Sequence, residues 1–190
     1  VPVKSVKELI AFAKARPGEL NYGAGGIGGA AHLAAELFKS MAEVNIVHVP
    51  YKGGAATITA LLGGEVHMLI TSSSVILPHV KRGRLRALAV TSAQPSLLAP
   101  GLPTVAASGL LGYEATGVTG ILAPSKTSSA IINRLNLEIV RAISQPDVKE
   151  KLLDAGVEPI GNSPEEYAAK IKAEMPRMGK LIRDLGIRSN

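Results

Sequence analysis

The sequence predicts an α/β fold in which helices cover both faces of a parallel or mixed sheet. The main observation is that short apolar segments with strand character alternate with amphipathic segments of helical period. Glycine-rich turns join the strands to the helices, as in strand–helix units. The chain of 190 residues, 46% hydrophobic and 19% charged, is long enough for one core or two small lobes.

The first half of the chain carries the clearest alternation. The first helix is predicted by the S-x-x-E capping box of Ser5 and Glu8, and it ends at Pro17-Gly18. The next predicted elements are, in order, a strand at 20–22, a helix from about Ala30, a strand at 44–49, a helix at 55–62, a strand at 67–70, a helix at 75–81 and a strand at 85–90.

The second half is predicted to be mostly helical. A long strand, or two strands joined at glycine, is expected at 113–122. The following elements are helices at 128–143 and 147–155, a short strand at 157–160, and a last helix capped by Ser163 with Pro164 at its first position. These amphipathic helices need a sheet to cover. The first half supplies that sheet, or it belongs to an N-terminal portion that is absent from this chain.

Composition excludes several classes of function. The chain has no cysteine, which excludes disulfides, thiolate metal sites and cysteine catalysis. No apolar run approaches the roughly 20 residues that cross a bilayer. The net charge of +6 favours acidic partners. The basic residues are scattered and no aromatic residues interleave them, so we expect no nucleic-acid partner.

The glycine run between the first strand and the second helix is the strongest local signal. Glycines let backbone N–H groups turn toward a ligand, and these groups lie at a helix N-terminus, where an anion is favoured. A carboxylate fits there as well as a phosphate does. The residues expected to donate amides are Gly25, Gly26, Gly28 and Gly29.

The same run satisfies the dinucleotide fingerprint G-x-G-x-x-G from Gly23 to Gly28. Two features argue against a nucleotide. The preceding strand carries the polar Asn21, and no acidic residue ends the next strand to hold a ribose. Lys52 could serve a 2′-phosphate, so an NADP-dependent oxidoreductase remains the alternative hypothesis.

Two further turns have the same placement between a strand and a helix. The first contains Tyr51, Lys52 and Gly53, and the second contains Thr71 and Ser72. Turns that follow parallel strands meet at one edge of the sheet, so the three turns together predict a polar crevice. His32, in the first turn of the second helix, is predicted to bind the anion or to support the loop. The spacing predicts no catalytic residues, no metal ligands and no cofactor.

Several segments resemble one known family. The segment from Tyr22 to Leu33 resembles Y-G-S-G-G-x-G-S-x-x-H-L of the tripartite tricarboxylate transporter receptors, the Bug family. Val47 to Gly53 is similar to their V-P-Y-K-G signature, and Leu85 to Thr91 to their L-R-A-L-A-V-T strand. Matches at 103–105 and 161–167 extend the resemblance over essentially the whole chain.

The resemblance implies a type 2 periplasmic binding protein with two α/β lobes that close on a small carboxylic acid. The N-terminal part of the first lobe would be absent. Residues 1–116 would form the second lobe with the ligand-binding loops, and residues 117–190 a hinge strand and the C-terminal helical part of the first lobe. The receptor would lie in the periplasm and deliver its ligand to the membrane components of a tripartite tricarboxylate transporter.

The three polar turns and the resemblance together lead us to expect that Tyr51, Lys52 and Gly53 line the wall opposite the glycine loop. Thr71 and Ser72 would close the pocket, and Thr119 would lie at the hinge. The chain departs from the family pattern at Ala24 and Gly29, where serine is common, and at Thr71-Ser72. The lost hydroxyls leave the backbone donors in place, and an amine-bearing ligand loses its acidic partner.

Overall fold

A computed structural model describes residues 1–187 and contains helices and short parallel strands in alternation. The elements are, in chain order, α1 (Val6–Ala15), β1 (Asn21–Ala24), α2 (Ala30–Ala42), β2 (Val47–Pro50), α3 (Gly54–Gly63), α4 (Ser73–Lys81), α5 (Ser129–Ile143), α6 (Pro146–Asp154) and α7 (Pro164–Asp184). The predicted helices are confirmed to within one or two residues at most ends.

Local capping explains where two of the helices begin. The hydroxyl of Ser5 accepts the backbone N–H of Glu8 at 3.2 Å at the start of α1. Ser163 and Glu166 form a complete capping box at the start of α7. The helices α2 and α3 begin differently, because glycines 29 and 53 occupy their N-cap positions and supply no side-chain oxygen. The first amides of α2 and α3 therefore need other partners.

The strands β1 and β2 pair in parallel, with Asn21 opposite Val47 and Ala24 opposite Pro50. On the other edge of β1, the segment predicted as a strand at 67–70 runs parallel and forms a single bridge between Tyr22 and Met68. The amide of Gly23 donates to the Met68 carbonyl at 3.1 Å. Three parallel segments therefore lie side by side, in the order β2, β1 and 67–70.

The hydrophobic core lies between this small sheet and the helices α1 and α2. Its members are apolar side chains of α1, β1 and α2 together with Ile46, Val105, Leu110 and Tyr113. The Tyr113 hydroxyl donates to the Ala34 carbonyl at 3.0 Å, so its buried polar atom is satisfied. Burial raises the pKa of Tyr113 far above its ordinary value.

Several predicted strands are wrong or reduced to single bridges in the described residues. At 85–90 only Val90 forms a bridge, with Thr104. No strand forms at 113–122 or at 157–160. An apolar run can form a strand only where a neighbouring strand accepts its backbone hydrogen bonds. At 113–122 the Ala115 amide reaches the Thr91 carbonyl, but residues 116–124 are exposed.

The C-terminal helices bury little surface. Helices α5 and α6 contain no buried residue, and α7 buries only Leu181. Large apolar side chains stay exposed on α5, including Ile131 at 53% and Leu137 at 61%. Contacts to the first half include hydrogen bonds from Ser73 to the Gly156 carbonyl at 3.3 Å and from Ser96 to Glu158 at 2.8 Å, and the packing of α7 against α2. Within residues 1–187, no helix combines the length and the apolar character that spanning a bilayer requires.

Candidate functional site

Three turns meet at one edge of the small sheet. Because β1 and β2 are parallel and end in register at Ala24 and Pro50, the turns that follow them leave from the same edge. The 67–70 segment runs in the same direction, so the turn at 71–72 follows at this edge as well. Helices α2, α3 and α4 begin directly after these turns. The amino ends of α2 and α3 therefore meet at one location, and the turn before α4 leaves from the same edge of the sheet.

A cavity of about 220 Å³ lies at this location. It is lined by glycine-loop residues, the first turns of α2 and α3, and the end of the 67–70 segment: Gly23, Ala24, Gly25, Gly29, Ala30, Ala31, His32, Gly54, Thr57, Leu69, Ile70 and Thr71. No carboxylate is among the described residues that line it. The cavity therefore presents backbone amides, one hydroxyl from each of two threonines, and one imidazole to a guest.

The loop amides fall into two groups. Gly28 donates its amide to Nδ1 of His32 at 3.4 Å, and Gly29 donates to the Gly26 carbonyl at 3.0 Å. Within residues 1–187, the backbone amides of Gly25 and Gly26 have no hydrogen-bond acceptor. The amides of Gly25 and Gly26 thus have no partner within the loop, whereas those of Gly28 and Gly29 hold the turn together. Gly25 and Gly29 line the cavity, and Gly26 and Gly28 lie in the same turn outside its lining.

The other sequence-predicted residues lie around the cavity or away from it. Tyr51 directs its hydroxyl to Glu65 at 3.2 Å, and Lys52 is exposed. Gly53 has φ of +90°, a left-handed value that glycine adopts without strain, and it caps α3. Thr71 lines the cavity, whereas the exposed Ser72 caps α4 without a side-chain hydrogen bond. Thr119 is exposed and does not line the cavity.

Sequence reasoning missed eight lining residues, of which Gly23, Ala24, Leu69 and Ile70 lie in β1 and the 67–70 segment. The other four are the helix residues Ala30, Ala31, Gly54 and Thr57. The first three belong to the first turns of α2 and α3, where backbone N–H groups have no acceptor within the helix. The expected start of the second helix near Ala30 was a sufficient signal for the first two. Thr57 gave no such signal, because its side chain reaches the cavity only through the packing of α3 against β1.

Beneath the glycine loop, four side chains form a stacked and hydrogen-bonded cluster. The rings of His32 and His48 meet edge to face at a centroid distance of 4.6 Å. Tyr22 stacks on His48 at 5.0 Å and its ring centroid lies 6.4 Å from that of His32, so the three rings pack in a triangle. The Tyr22 hydroxyl donates to Glu36 at 2.7 Å. His32 is only 6% exposed, so it connects the cavity wall to the interior.

Burial and neighbouring charges set the protonation states in this cluster. Burial lowers the pKa of His32, and the nearby His48 lowers it further. Burial likewise lowers the pKa of His48. Burial alone would raise the pKa of Glu36, but hydrogen bonds from Lys39 and Tyr22 outweigh it and lower that pKa. Both imidazoles are therefore neutral near pH 7, beside an ionised Glu36–Lys39 pair.

The geometry suits binding of an anion by oriented backbone dipoles. Helix amino ends carry partial positive charge, and unpaired amides at those ends accept a carboxylate or a phosphate. In residues 1–187 no three His, Asp or Glu side chains come close enough together to hold a metal ion. Chemistry on the guest would need a nucleophile held by a base, and neither hydroxyl in the cavity wall is hydrogen-bonded to His32.

Comparison with known proteins adds an independent line of evidence. Residues 1–187 match the family described as "Tripartite tricarboxylate transporter family receptor". The chain belongs to this family. The resemblance of the glycine loop and the V-P-Y-K-G segment to this family is therefore confirmed. The match covers nearly the whole chain of this family member.

Solved structures of similar proteins share the fold. Rpa4515 of R. palustris, solved with adipate, is 37% identical and superposes with a TM-score of 0.84 over 98% of this chain and 62% of its own. The periplasmic binding protein BugD is 28% identical, with a TM-score of 0.77 over 100% of this chain and 64% of its own. MatC from Rhodopseudomonas palustris, with bound malate, is 25% identical, with a TM-score of 0.75 over 95% and 63%.

These similarities confirm the predicted periplasmic binding protein fold. They also show what fraction of the length of a periplasmic binding protein this chain covers. Three curated relatives are from 32% to 36% identical to the chain, which spans 56% of the length of each. The chain thus corresponds to a little more than half of these relatives.

Proposed function

We propose that this chain is the ligand-binding part of a periplasmic receptor that captures a small carboxylate. The observation that carries the proposal is the meeting of three helix-starting turns around one cavity whose lining contains no carboxylate. An anionic guest gains from the unpaired amides and from the helix dipoles without meeting a like charge. The receptor then delivers its ligand to the membrane components of a tripartite tricarboxylate-type secondary transporter.

The proposal assigns different roles to the site residues. Gly25 and Gly26 donate amides to the carboxylate, together with the first amides of α2 at Ala30 and Ala31. Gly28, Gly29 and His32 hold the loop in shape. The remaining predicted residues form the rim and the closing surfaces: Tyr51, Lys52, Gly53, Thr71, Ser72 and, at the hinge, Thr119.

The same proposal divides the chain into parts of two lobes. Residues 1–116, which contain the core and the cavity, form the ligand-binding lobe, and residues 117–190 form the crossing segment and helices of the other lobe. The exposed apolar faces of α5 and α7 support this division, because exposed apolar patches mark surfaces that other parts of a protein cover. The relatives that carry adipate and malate support a dicarboxylate as the guest.

Calorimetry on the full-length protein tests the proposal. The titrants are monocarboxylates, dicarboxylates including adipate and malate, and tricarboxylates, with NADPH as a separate arm. We expect saturable binding of one carboxylate class and no heat from NADPH. Absence of binding across the whole carboxylate panel would overturn the proposal. Binding of NADPH would instead favour the oxidoreductase alternative.

A proline substitution tests whether helix-start amides hold the guest. Ala30→Pro removes the first amide of α2 at a position where proline fits a helix, because Gly29 before it is extended, with ψ of 159°. We expect affinity to fall about tenfold, the cost of one charge-assisted hydrogen bond. Ser129→Pro makes the same change at the first position of α5, where the preceding Ser128 has ψ of 147°, and should leave affinity unchanged. Equal affinities for the two variants would contradict the assigned donors.

A further inference from the structure

The two histidines beneath the glycine loop are placed to control its shape. The Gly28 amide donates to Nδ1 of His32 across the turn, which spans only the residues between β1 and α2. Gly29 and Gly26 close the same turn through a second hydrogen bond of 3.0 Å. The free amides of Gly25 and Gly26 belong to this turn, so their direction depends on whether these two bonds persist.

The bond from Gly28 exists only while His32 is neutral. A neutral imidazole has one nitrogen that accepts and one that donates, whereas a protonated imidazole donates from both. Because Nδ1 of His32 accepts the hydrogen bond from the Gly28 amide, the proton of the neutral His32 ring must lie on Nε2. Protonation of His32 would place a donor against the amide donor of Gly28, and the turn would lose its anchor.

His48 makes protonation of the pair unfavourable. Its ring contacts both Tyr22 and His32, at centroid distances of 5.0 Å and 4.6 Å. Its Nε2 is buried and has no hydrogen-bond partner among the described residues. A second charge beside the first would be desolvated and repelled, so the two rings titrate as a coupled pair.

The groups facing the pair come from each element that surrounds it. From α2, Glu36 favours protonation and Lys39 opposes it, and the two form an ion pair of 2.6 Å. From β1, the Tyr22 phenol is bonded to Glu36. On the sheet side, α3 packs against β1 and carries no charged side chain. Helix α7 also touches α2, where its Arg177 is bonded to Glu174 and to the Glu114 carbonyl.

We propose that His32 and His48 are a positioning pair that holds the Gly25–Gly29 turn in its ligand-accepting shape only while both imidazoles are neutral. The predicted change in ligand affinity rests on the proposed function, whereas the predicted change in the shape of the turn needs no ligand. Acidification then releases the carboxylate by loosening the turn rather than by neutralising the guest. In this role both histidines act on the ligand through the shape of the loop.

The test compares the full-length wild-type protein with His32→Asn, His32→Leu and the control His67→Asn. Asparagine places a non-titrating acceptor near the position of Nδ1, whereas leucine removes the acceptor. His67 is a matched control because its Nδ1 also accepts a backbone amide, that of Asn21 at 3.1 Å, but it is exposed and away from the loop. The measurements are nitrogen-15 NMR of the imidazoles and glycine amides, and calorimetry with adipate, both between about pH 5 and pH 8.

We expect the amides of Gly25, Gly26 and Gly28 to shift with the same midpoint as the His32 imidazole in wild type and in His67→Asn. Wild-type affinity for adipate should fall about tenfold for each pH unit below that midpoint. His32→Asn should keep its affinity over this range, and His32→Leu should bind weakly at every pH. Protonation of adipate itself is common to all variants and cancels in the ratio of wild type to His32→Asn.

Two results would overturn the proposal. One is glycine amides that do not follow the His32 titration. The other is a pH dependence of affinity in His32→Asn equal to that of wild type. If no carboxylate binds at any pH, the proposed function fails, and the coupling between the imidazole and amide titrations alone decides the positioning role. If His32→Leu does not fold, the comparison of His32→Asn with wild type still decides the outcome.

Discussion

At Gly23, in the middle of β1, the backbone of the strand lies directly against α3. A Cβ added at this position would stand 2.6 Å from Cγ2 of Thr57 and 3.3 Å from Cγ2 of Val66. Thr57 cannot move aside without cost, because it is buried and its hydroxyl donates to the Gly53 carbonyl at 2.9 Å. The close approach of α3 to β1 therefore depends on glycine, and this approach brings Thr57 into the cavity wall.

Gly23→Ala should lower the free energy of unfolding by about 1–3 kcal/mol, the usual cost of forcing an extra methyl group into a packed interior. Gly63→Ala is the control, because its added Cβ would meet no atom within 4 Å at the end of α3. That change should be neutral or slightly stabilising. Urea unfolding followed by circular dichroism measures both. Equal stability of the two variants would show that α3 can shift freely.

Glu36 contributes to stability as a carboxylate. Its pKa in the folded chain lies below the ordinary value of 4.5, so its contribution is present above that pH and is lost as the pH falls through the lowered value. Glu36→Gln should therefore destabilise the protein at pH 7, by roughly 1.5 kcal/mol for the charged hydrogen bonds, and less as the solution is acidified.

The control for Glu36 is Glu138→Gln, which removes a pair with Arg134 on the exposed face of α5. Exposed pairs contribute little, so this variant should match wild type at every pH. Thermal unfolding at a series of pH values from about 2 to 7 provides the comparison. A deficit in Glu36→Gln that stays constant with pH would contradict the assigned ionisation.

At the scale of elements, the helix starts differ in how they satisfy their first amides. Helix α7 uses a side-chain box, in which the Glu166 amide donates to the Ser163 hydroxyl at 3.1 Å and Glu166 accepts the Ser163 amide at 2.9 Å. Helices α2 and α3, beside the cavity, begin at glycine without any side-chain cap. Because these two uncapped starts also line the cavity, their first amides are available to a ligand.

Ser163→Ala should reduce stability by about 1 kcal/mol, because the cap of α7 is lost. Ser128→Ala is matched to it, since Ser128 is the N-cap of α5 and makes no side-chain cap hydrogen bond. We expect the second change to have little effect. Chemical denaturation with helix content as the signal distinguishes them, and a larger loss for Ser128→Ala would refute the capping assignment.

At the scale of the whole molecule, burial is uneven along the chain. The core draws on α1, β1 and α2, while α5 and α6 have no buried residue despite their apolar stripes. Helices stabilised by few buried contacts open more easily than helices that carry the core. Residues 1–187 should therefore consist of a firm first half and a loosely held second half.

Hydrogen exchange of residues 1–190, followed by mass spectrometry, tests this difference. Backbone amides of α1 and α2 should exchange only through global unfolding, whereas those of α5 and α6 should exchange orders of magnitude faster. Both regions are measured in one sample, so solution conditions are shared. Equal protection would mean that the C-terminal helices are held as firmly as the core.

The sequence alone was sufficient for the helices, because their signals are local. Capping residues, apolar periodicity and glycine stops act within a few residues of each helix end, as at Ser5 and Ser163. The family could also be predicted from sequence, since the glycine loop and the V-P-Y-K-G segment are contiguous. Local signals could not decide whether strands form at 113–122 and 157–160, because a strand needs a partner strand that is distant in the chain.

The candidate site shows the same division between local and distant effects. The sequence by itself predicted that a turn precedes each of α2, α3 and α4, because glycines and helix-start signals act locally. Only the tertiary structure decided that Gly28 and Gly29 use their amides within the loop, that Thr57 reaches the cavity, and that His32 stacks on His48. These outcomes depend on the parallel register of β1 and β2, which brings together residues that are far apart in the chain.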